Sequence, residues 1–114
     1  MSAAAAPALS LDFMAGQGAH AQALAKLEAL EEEIDAALAR RKSNGLVRRA
    51  IKAWRRSDIA RAGQLSLEGT EADPTNGQAF HILAMALEKM GHVHKALVTY
   101  ERAFALDPSD PDLR

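Results

Sequence analysis

The sequence contains no cysteine, and only 4% of its residues are aromatic. The absence of cysteine excludes disulfide bonds and thiolate metal sites, and it permits a reducing compartment. The hydrophobic fraction of 48% includes many alanines. Such a composition favours closely packed helices over a sheet of bulky side chains. We therefore expect one all-α domain with a modest core in 114 residues.

Neither a strong net charge nor a long apolar run is present. The formal net charge of -1 gives no general argument for binding to nucleic acid or to an anionic membrane. No window approaches the roughly 18 consecutive apolar residues that predict a membrane span. Residues 1–9 carry no lysine or arginine and lack the apolar run of a secretory signal. The sequence predicts a cytoplasmic protein without a membrane span.

The N-terminal third divides into two segments. Residues 1–18, which end in Gly16 and Gly18, are predicted to form a flexible lead. Residues 19–42 contain no further proline or glycine after that lead, and their apolar positions alternate three and four residues apart. This spacing predicts a long amphipathic helix that caps the rest of the chain or oligomerises. The face that would do so consists of Leu24, Leu27, Leu30, Ile34 and Leu38.

Two helical hairpins are predicted to follow. The first comprises helices at about 44–56 and 58–72, and the second comprises helices at about 76–90 and 92–106. Ser43, Asn44 and Gly45 are turn-forming residues, and we expect the N-terminal helix to end there.

Capping residues and breakers support these boundaries. Ser57 is predicted to cap the second helix of the first hairpin, and Thr75 with Gln78 has capping-box spacing. Gly91 is expected to end a helix in the left-handed conformation. The last helix is predicted to stop before Pro108 and Pro111.

An internal repeat is the strongest signal in the sequence. The segment Glu71–Asn76 recurs as Ala105–Asp110, and the prolines Pro74 and Pro108 are 34 residues apart. Large and small residues alternate between these prolines in a fixed order. The pattern is made by Phe80, Leu83, Ala84, Leu87, Gly91, Ala96, Tyr100, Ala103 and Pro108. With its period, this pattern resembles the tetratricopeptide (TPR) repeat family.

The resemblance covers residues 43–114. It is close over 77–110, whereas 43–76 reads as a degenerate repeat. It implies antiparallel helical hairpins stacked as a short TPR-type superhelix, or α-solenoid, with an additional long N-terminal helix. Because about three stacked units are usually needed for stability, we expect either that the chain continues in a longer protein or that a second copy supplies the missing neighbour.

The family resemblance also implies a binding site. TPR proteins usually hold a peptide or a partner helix in a concave groove, which the first helix of each hairpin lines. By motif, the groove residues are Asn44, Val47, Arg48, Ile51, Trp54, Arg55, Gln78, His81, Ile82, Met85, Glu88 and Lys89. Val47 and Ile51 stand where the family's carboxylate clamp would place lysine and asparagine, so we do not expect a chaperone-tail adaptor. Whether the N-terminal helix covers the groove stays open.

We therefore predict a protein-protein interaction module without catalytic residues or cofactors. The sequence has no glycine-rich phosphate loop, cysteine nucleophile or recognisable serine triad. One alternative is the N-terminal protein-substrate docking or oligomerisation domain of a larger enzyme, such as a TPR-containing glycosyltransferase or sulfotransferase. A second alternative is a secretion-chaperone-like dimer.

Charged clusters suggest further partners. A basic stretch is opposed only by Asp58, and an acidic helix face precedes it. Pairing of these regions, within one chain or in a homodimer, is favoured over nucleic-acid binding, because Trp54 is the only aromatic residue in the stretch. His92 and His94 read as solvated residues rather than a metal site. The basic stretch comprises Arg40, Arg41, Lys42, Arg48, Arg49, Lys52, Arg55, Arg56 and Arg61, and the acidic face comprises Glu28, Glu31, Glu32, Glu33 and Asp35.

Overall fold

The computed structural model describes the backbone of residues 2–108 and the side chains of residues 18–108. Four helices and no strand occur in this part of the chain, which confirms the all-α fold class. They are α1 (Ser2–Arg55), α2 (Ile59–Ala72), α3 (Gly77–Lys89) and α4 (Val93–Leu106). Backbone contacts divide the chain into two units, Met1–Asp35 and Ala36–Arg114. None of the helices, over the residues described, is long and apolar enough to cross a membrane.

The first unit contains the N-terminal part of α1. The bounds of α1 include residues 2–18, which the sequence analysis assigned to a flexible lead. The side chains of residues 1–17 lie outside the described residues, and a separate lead stays a prediction. From Gly18 to Asp35 every side chain is exposed. The apolar face predicted for capping or oligomerisation is 46% to 56% exposed over its five residues, of which Leu38 lies in the second unit.

The core of the second unit lies between the end of α1, α2 and α3. Its buried apolar residues are Leu46, Val47, Ala50, Ala53, Ala62, Leu65, Ala79 and Ile82. Half of them are alanines, which allow the helix axes to approach closely. A Cβ atom added at Gly69 of α2 would lie 3.3 Å from the Cβ atom of Ala79. The small residues of α2 therefore serve close helix packing in the segment that reads as a degenerate repeat.

The second hairpin, α3 and α4, packs in the same way. Ala84 and Ala86 of α3 and Ala96 and Ala103 of α4 are almost completely buried. Alanines at 96 and 103 lie two turns apart, so they occupy one face of α4. This face packs against α3.

The predicted break at Ser43–Asn44–Gly45 is wrong, because α1 runs through all three residues to Arg55. The side chains of Ser43 and Asn44 bond to distant residues instead of forming a local turn. The buried Ser43 hydroxyl donates a hydrogen bond to the Gly69 carbonyl oxygen at 2.7 Å and accepts one from the Asn76 amide at 2.8 Å. Asn76 also donates to the Asn44 side chain at 3.1 Å. Tertiary hydrogen bonds thus override the local turn preference.

Two predicted caps are also wrong, each by one residue. Asp58, rather than Ser57, caps α2 by accepting a hydrogen bond from the Arg61 backbone N–H, and Ser57 adopts a positive φ of 63°. Asn76, rather than Thr75, caps α3 by accepting from the Ala79 backbone N–H. Asp and Asn are at least as good at this position as Ser and Thr. The helices therefore begin one residue later than predicted.

The ends of α3 and α4 agree with the sequence. Gly91 has a φ of +87°, as expected for a residue that ends a helix in the left-handed region. The α4 helix ends at Leu106, just before Pro108. Pro111, the second predicted breaker, lies outside the described residues.

Two glycine substitutions are expected to have opposite effects on stability. Gly45→Ala should raise the free energy of unfolding by about 0.5 to 1 kcal/mol, because alanine is the better residue inside a helix. The added Cβ would meet only the Arg48 guanidinium, at 3.7 Å. Gly91→Ala should lower the free energy of unfolding by about 1 kcal/mol, because alanine is strained at positive φ. Urea denaturation of both variants checks the signs, and a destabilising Gly45→Ala would contradict a continuous α1.

Candidate functional site

A cleft open to solvent lies on the second unit, and we call it the Trp54 cleft. Its volume is about 670 Å³. The end of α1, the middle and end of α3, and one residue of α4 form its walls. The residues that line it are Trp54, His81, Met85, Glu88, Lys89 and Tyr100.

Helical spacing places four of these residues on one face of α3. His81, Met85, Glu88 and Lys89 follow one another at intervals of four, three and one, which is one side of a helix. Ile82 and its buried alanine neighbours occupy the sides of α3 that pack against α2 and α4. The core contacts of α3 therefore fix which residues face the cleft.

Aromatic and thioether groups make one side of the cleft apolar. Trp54 is half-buried and packs against the core, so its indole is held in place. Met85 is half-buried as well. The His81 and Tyr100 rings lie with centroids 5.9 Å apart and a tilt of 58°. These groups offer an apolar surface to a bound side chain.

The polar edge of the cleft is organised by Tyr100 and Glu88. The Tyr100 hydroxyl donates a hydrogen bond of 2.9 Å to the Glu88 carboxylate. Burial raises the pKa of Tyr100 to about 12, and the hydrogen bond to Glu88 and the negative charge of that carboxylate add to the increase. Lys89 is exposed beside Glu88. A bound segment would therefore meet both a carboxylate and an ammonium group.

Tyr100 is the only tyrosine in the chain, so its ionisation can be followed directly by the ultraviolet absorbance of the phenolate. We expect a midpoint near pH 12, and a lower one in Glu88→Gln. A raised tyrosine pKa stabilises the folded state fully below about pH 10 and loses that effect as the pH rises toward 12. A midpoint near pH 10, with the helical circular dichroism signal intact, would contradict the Tyr100–Glu88 contact.

The other predicted groove residues do not all line this cleft. Val47 and Ile82 are 2% and 8% exposed and belong to the core. Ile51 is partly buried against that core. These three residues support the packing of α1 on its neighbours, so these apolar members of the predicted groove lie in or against the core.

The polar members of the predicted groove are distributed elsewhere. Asn44 and Gln78 line a separate cleft of about 340 Å³ with Arg40 and Asp107. Arg48 lines a basic cleft with other cations of α1. Arg55 is exposed at the end of α1. Five of the twelve predicted groove residues thus line the Trp54 cleft.

Tyr100 is the lining residue that the groove prediction missed. From the sequence, Tyr100 was assigned only to the repeat pattern. Its spacing from Ala96 and Ala103, four residues before and three after, places it on the face of α4 that packs against α3. That spacing was the signal that could have identified Tyr100 as a lining residue. A long side chain between two alanines extends past them to the edge of the contact between α3 and α4.

Metal-ligating groups do not cluster in the described part of the chain. Among those residues, no three histidine or carboxylate side chains lie close enough together to hold a metal ion. His92 and His94 are both exposed at the start of α4.

Comparison with known proteins adds one similarity. No family model matches the chain. The chain is 47% identical over 60 residues to protein FlbA of Caulobacter vibrioides. That match covers 53% of this chain and about a tenth (10%) of the length of FlbA.

Proposed function

We propose that the second unit is a TPR-type helical-repeat module that docks a segment of a partner polypeptide in the Trp54 cleft. The observation that carries the proposal is the convergence of five predicted groove residues in one cleft. They are Trp54, His81, Met85, Glu88 and Lys89. The prediction and the cleft depend on different evidence, the first on a repeat pattern and the second on packing geometry.

The repeat interpretation is supported by the positions of its signature residues. Pro74 lies two residues after the end of α2, and Pro108 lies two residues after the end of α4. Ala84, Ala96 and Ala103, which the pattern requires to be small, are buried where helices meet. Gly91 makes the left-handed turn between α3 and α4.

The chemistry of the cleft suits a segment with an apolar side chain next to a polar or charged group. Trp54 offers a large surface that is already held in position, so little side-chain entropy is lost on binding. Met85 can adapt its shape to the bound side chain. Glu88 and Lys89 also line the cleft, where hydrogen bonds to them would fix the direction of the bound segment.

Affinity capture from the source lysate tests this function. The native chain is compared with a cleft variant, Trp54→Ala with Met85→Glu, and with Met90→Glu as the matched control. Met90 lies at the end of α3, is 43% exposed and does not line the cleft. Circular dichroism first establishes that all three chains are folded. We expect a protein that the native and control chains capture and the cleft variant does not. Equal capture by all three would refute docking in the cleft.

The two alternative settings stay predictions. A docking arm of a larger enzyme and a secretion-chaperone-like dimer are both compatible with docking in the Trp54 cleft. The capture experiment therefore tests the shared element, and the identity of the captured protein distinguishes the settings.

A further inference from the structure

The acidic face of α1 is a group of like charges without compensation inside its own helix. Every one of its carboxylates is exposed. None has a lysine or arginine three or four residues away, where helical neighbours meet. Glu28 and Glu32 are instead neighbours at that spacing, as are Glu31 and Asp35. Repulsion within the face is relieved if cations from elsewhere cover it.

A basic surface follows on the same helix and on α2. It lines two clefts of about 540 and 320 Å³, which share Arg49 and Lys52. Lys52 has like-charged helical neighbours at Arg48 and Arg56. The seven cations of this basic surface are Arg41, Lys42, Arg48, Arg49, Lys52, Arg56 and Arg61.

Neither surface is neutralised by the side chains that the structure describes. Among the side chains of residues 18–108, no ion pair joins the acidic face or the basic surface to an opposite charge. The one carboxylate within the basic surface, Asp58, accepts the capping hydrogen bond of α2 from the Arg61 backbone. Two complementary charged surfaces are therefore available to a partner.

We propose that the acidic face of one copy of this chain docks on the basic surface of a second copy, and that the exchange is reciprocal. Because each copy carries both surfaces, one two-fold axis satisfies both contacts and closes the dimer.

The exposed apolar residues beside the acidic face fit this occupant. Leu27, Leu30 and Ile34 are half exposed and lie among the carboxylates. A second copy would cover them while charge pairs form the rim of the contact. A polyanion such as nucleic acid suits the molecule less well. The acidic face would repel it, and the single nearby aromatic residue, Trp54, lines another cleft.

Sedimentation velocity and light scattering of the native chain test the proposal first. We expect a concentration-dependent dimer at about 0.05 M salt, with a dissociation constant that rises about tenfold or more by about 0.5 M salt, because screening weakens contacts between exposed charges. A native chain that is monomeric at about 100 μM in low salt, well above the dissociation constant of a specific dimer, would overturn the proposal.

Charge-reversal variants then test which surfaces meet. One variant carries Glu28→Lys, Glu31→Lys and Glu32→Lys, and the other carries Arg48→Glu, Arg49→Glu and Lys52→Glu. Each variant alone should be monomeric, because both of its surfaces then have the same sign. An equimolar mixture should form a heterodimer, because both contacts are again between opposite charges.

A matched control separates specific docking from net charge. Glu68→Lys, Glu71→Lys and Glu101→Lys make the same change in charge at exposed positions outside the acidic face. This variant should still dimerise. A reversed variant that is measured by itself could lose helicity. Recovery of helicity in the equimolar mixture would then report the same pairing.

Other outcomes refute the proposal. Dimers that persist in both reversed variants would place the contact elsewhere. A monomeric native chain that binds a short single-stranded oligonucleotide, and loses it on reversal of Arg48, Arg49 and Lys52, would assign the basic surface to nucleic acid. Trp54 and Met85 are unchanged in these variants, so partner capture through the cleft is tested independently.

Discussion

Replacing Leu65 with alanine is expected to lower the free energy of unfolding by about 3 kcal/mol, because the change leaves a cavity in a close-packed core. Leu65 is 3% exposed and belongs to the cluster that joins α1, α2 and α3. Neighbours such as Ala62 and Ala79 are small and have no long side chain that could fill the space. The loss would be a large fraction of the stability of a domain of this size.

Leu67 provides the matched control on the same helix. It is 47% exposed, so Leu67→Ala removes the same atoms from a largely solvated position. We expect a change within about 0.5 kcal/mol. Urea denaturation followed by circular dichroism measures both variants. Equal effects of the two substitutions would contradict the packing of α2 between α1 and α3.

Replacing Met85 with glutamate is expected to weaken binding of the captured partner at least about 30-fold, which corresponds to about 2 kcal/mol. The new carboxylate would stand in the apolar part of the Trp54 cleft, one helical turn from Glu88. A bound apolar side chain would then leave that carboxylate desolvated beside a like charge. Because Met85 is only half-buried, the fold should tolerate the change.

Met90→Glu controls for the added charge on α3, since Met90 lies outside the cleft and is exposed. It should change the partner's affinity less than about threefold. Isothermal titration calorimetry with the purified partner compares the two variants. A similar loss in both would mean that the net charge of α3, rather than occupancy of the cleft, controls binding.

The sequence predicted α2, α3 and α4 well because the ends of these helices depend on local chemistry. The ends of α2 to α4 differ from the prediction by about one residue, since Pro74 and Pro108 restrict the backbone and Gly91 permits the left-handed conformation that ends α3. The choice between adjacent capping residues was wrong because Ser57 and Thr75 have a competing acceptor, Asp58 or Asn76, immediately after them.

The continuity of α1 could not be predicted from local chemistry. Ser43, Asn44 and Gly45 favour a turn when they are read alone. The partners that hold them in a helix, Gly69 and Asn76, are about 30 residues away along the chain. Only the tertiary structure brings these groups together.

The candidate site was predicted only in part, because helical periodicity does not show which residues the tertiary packing buries. Periodicity identified the exposed face of α3, where His81, Met85 and Glu88 repeat at helical spacing. It did not reveal that α1 turns Val47 into the core and Trp54 toward the cleft. Both residues are apolar and lie seven residues apart, on the same face of α1, so periodicity does not distinguish them and the packing of α1 decides which one is buried.

Trp54 fluorescence tests the central claim most directly, because Trp54 is the only tryptophan in the chain and lines the proposed docking cleft. The purified partner is titrated into the native chain while calorimetry measures binding independently. A saturable change in Trp54 emission, with the same dissociation constant as the calorimetric titration, is the predicted result. Binding by calorimetry without any change in Trp54 emission would contradict docking in the cleft.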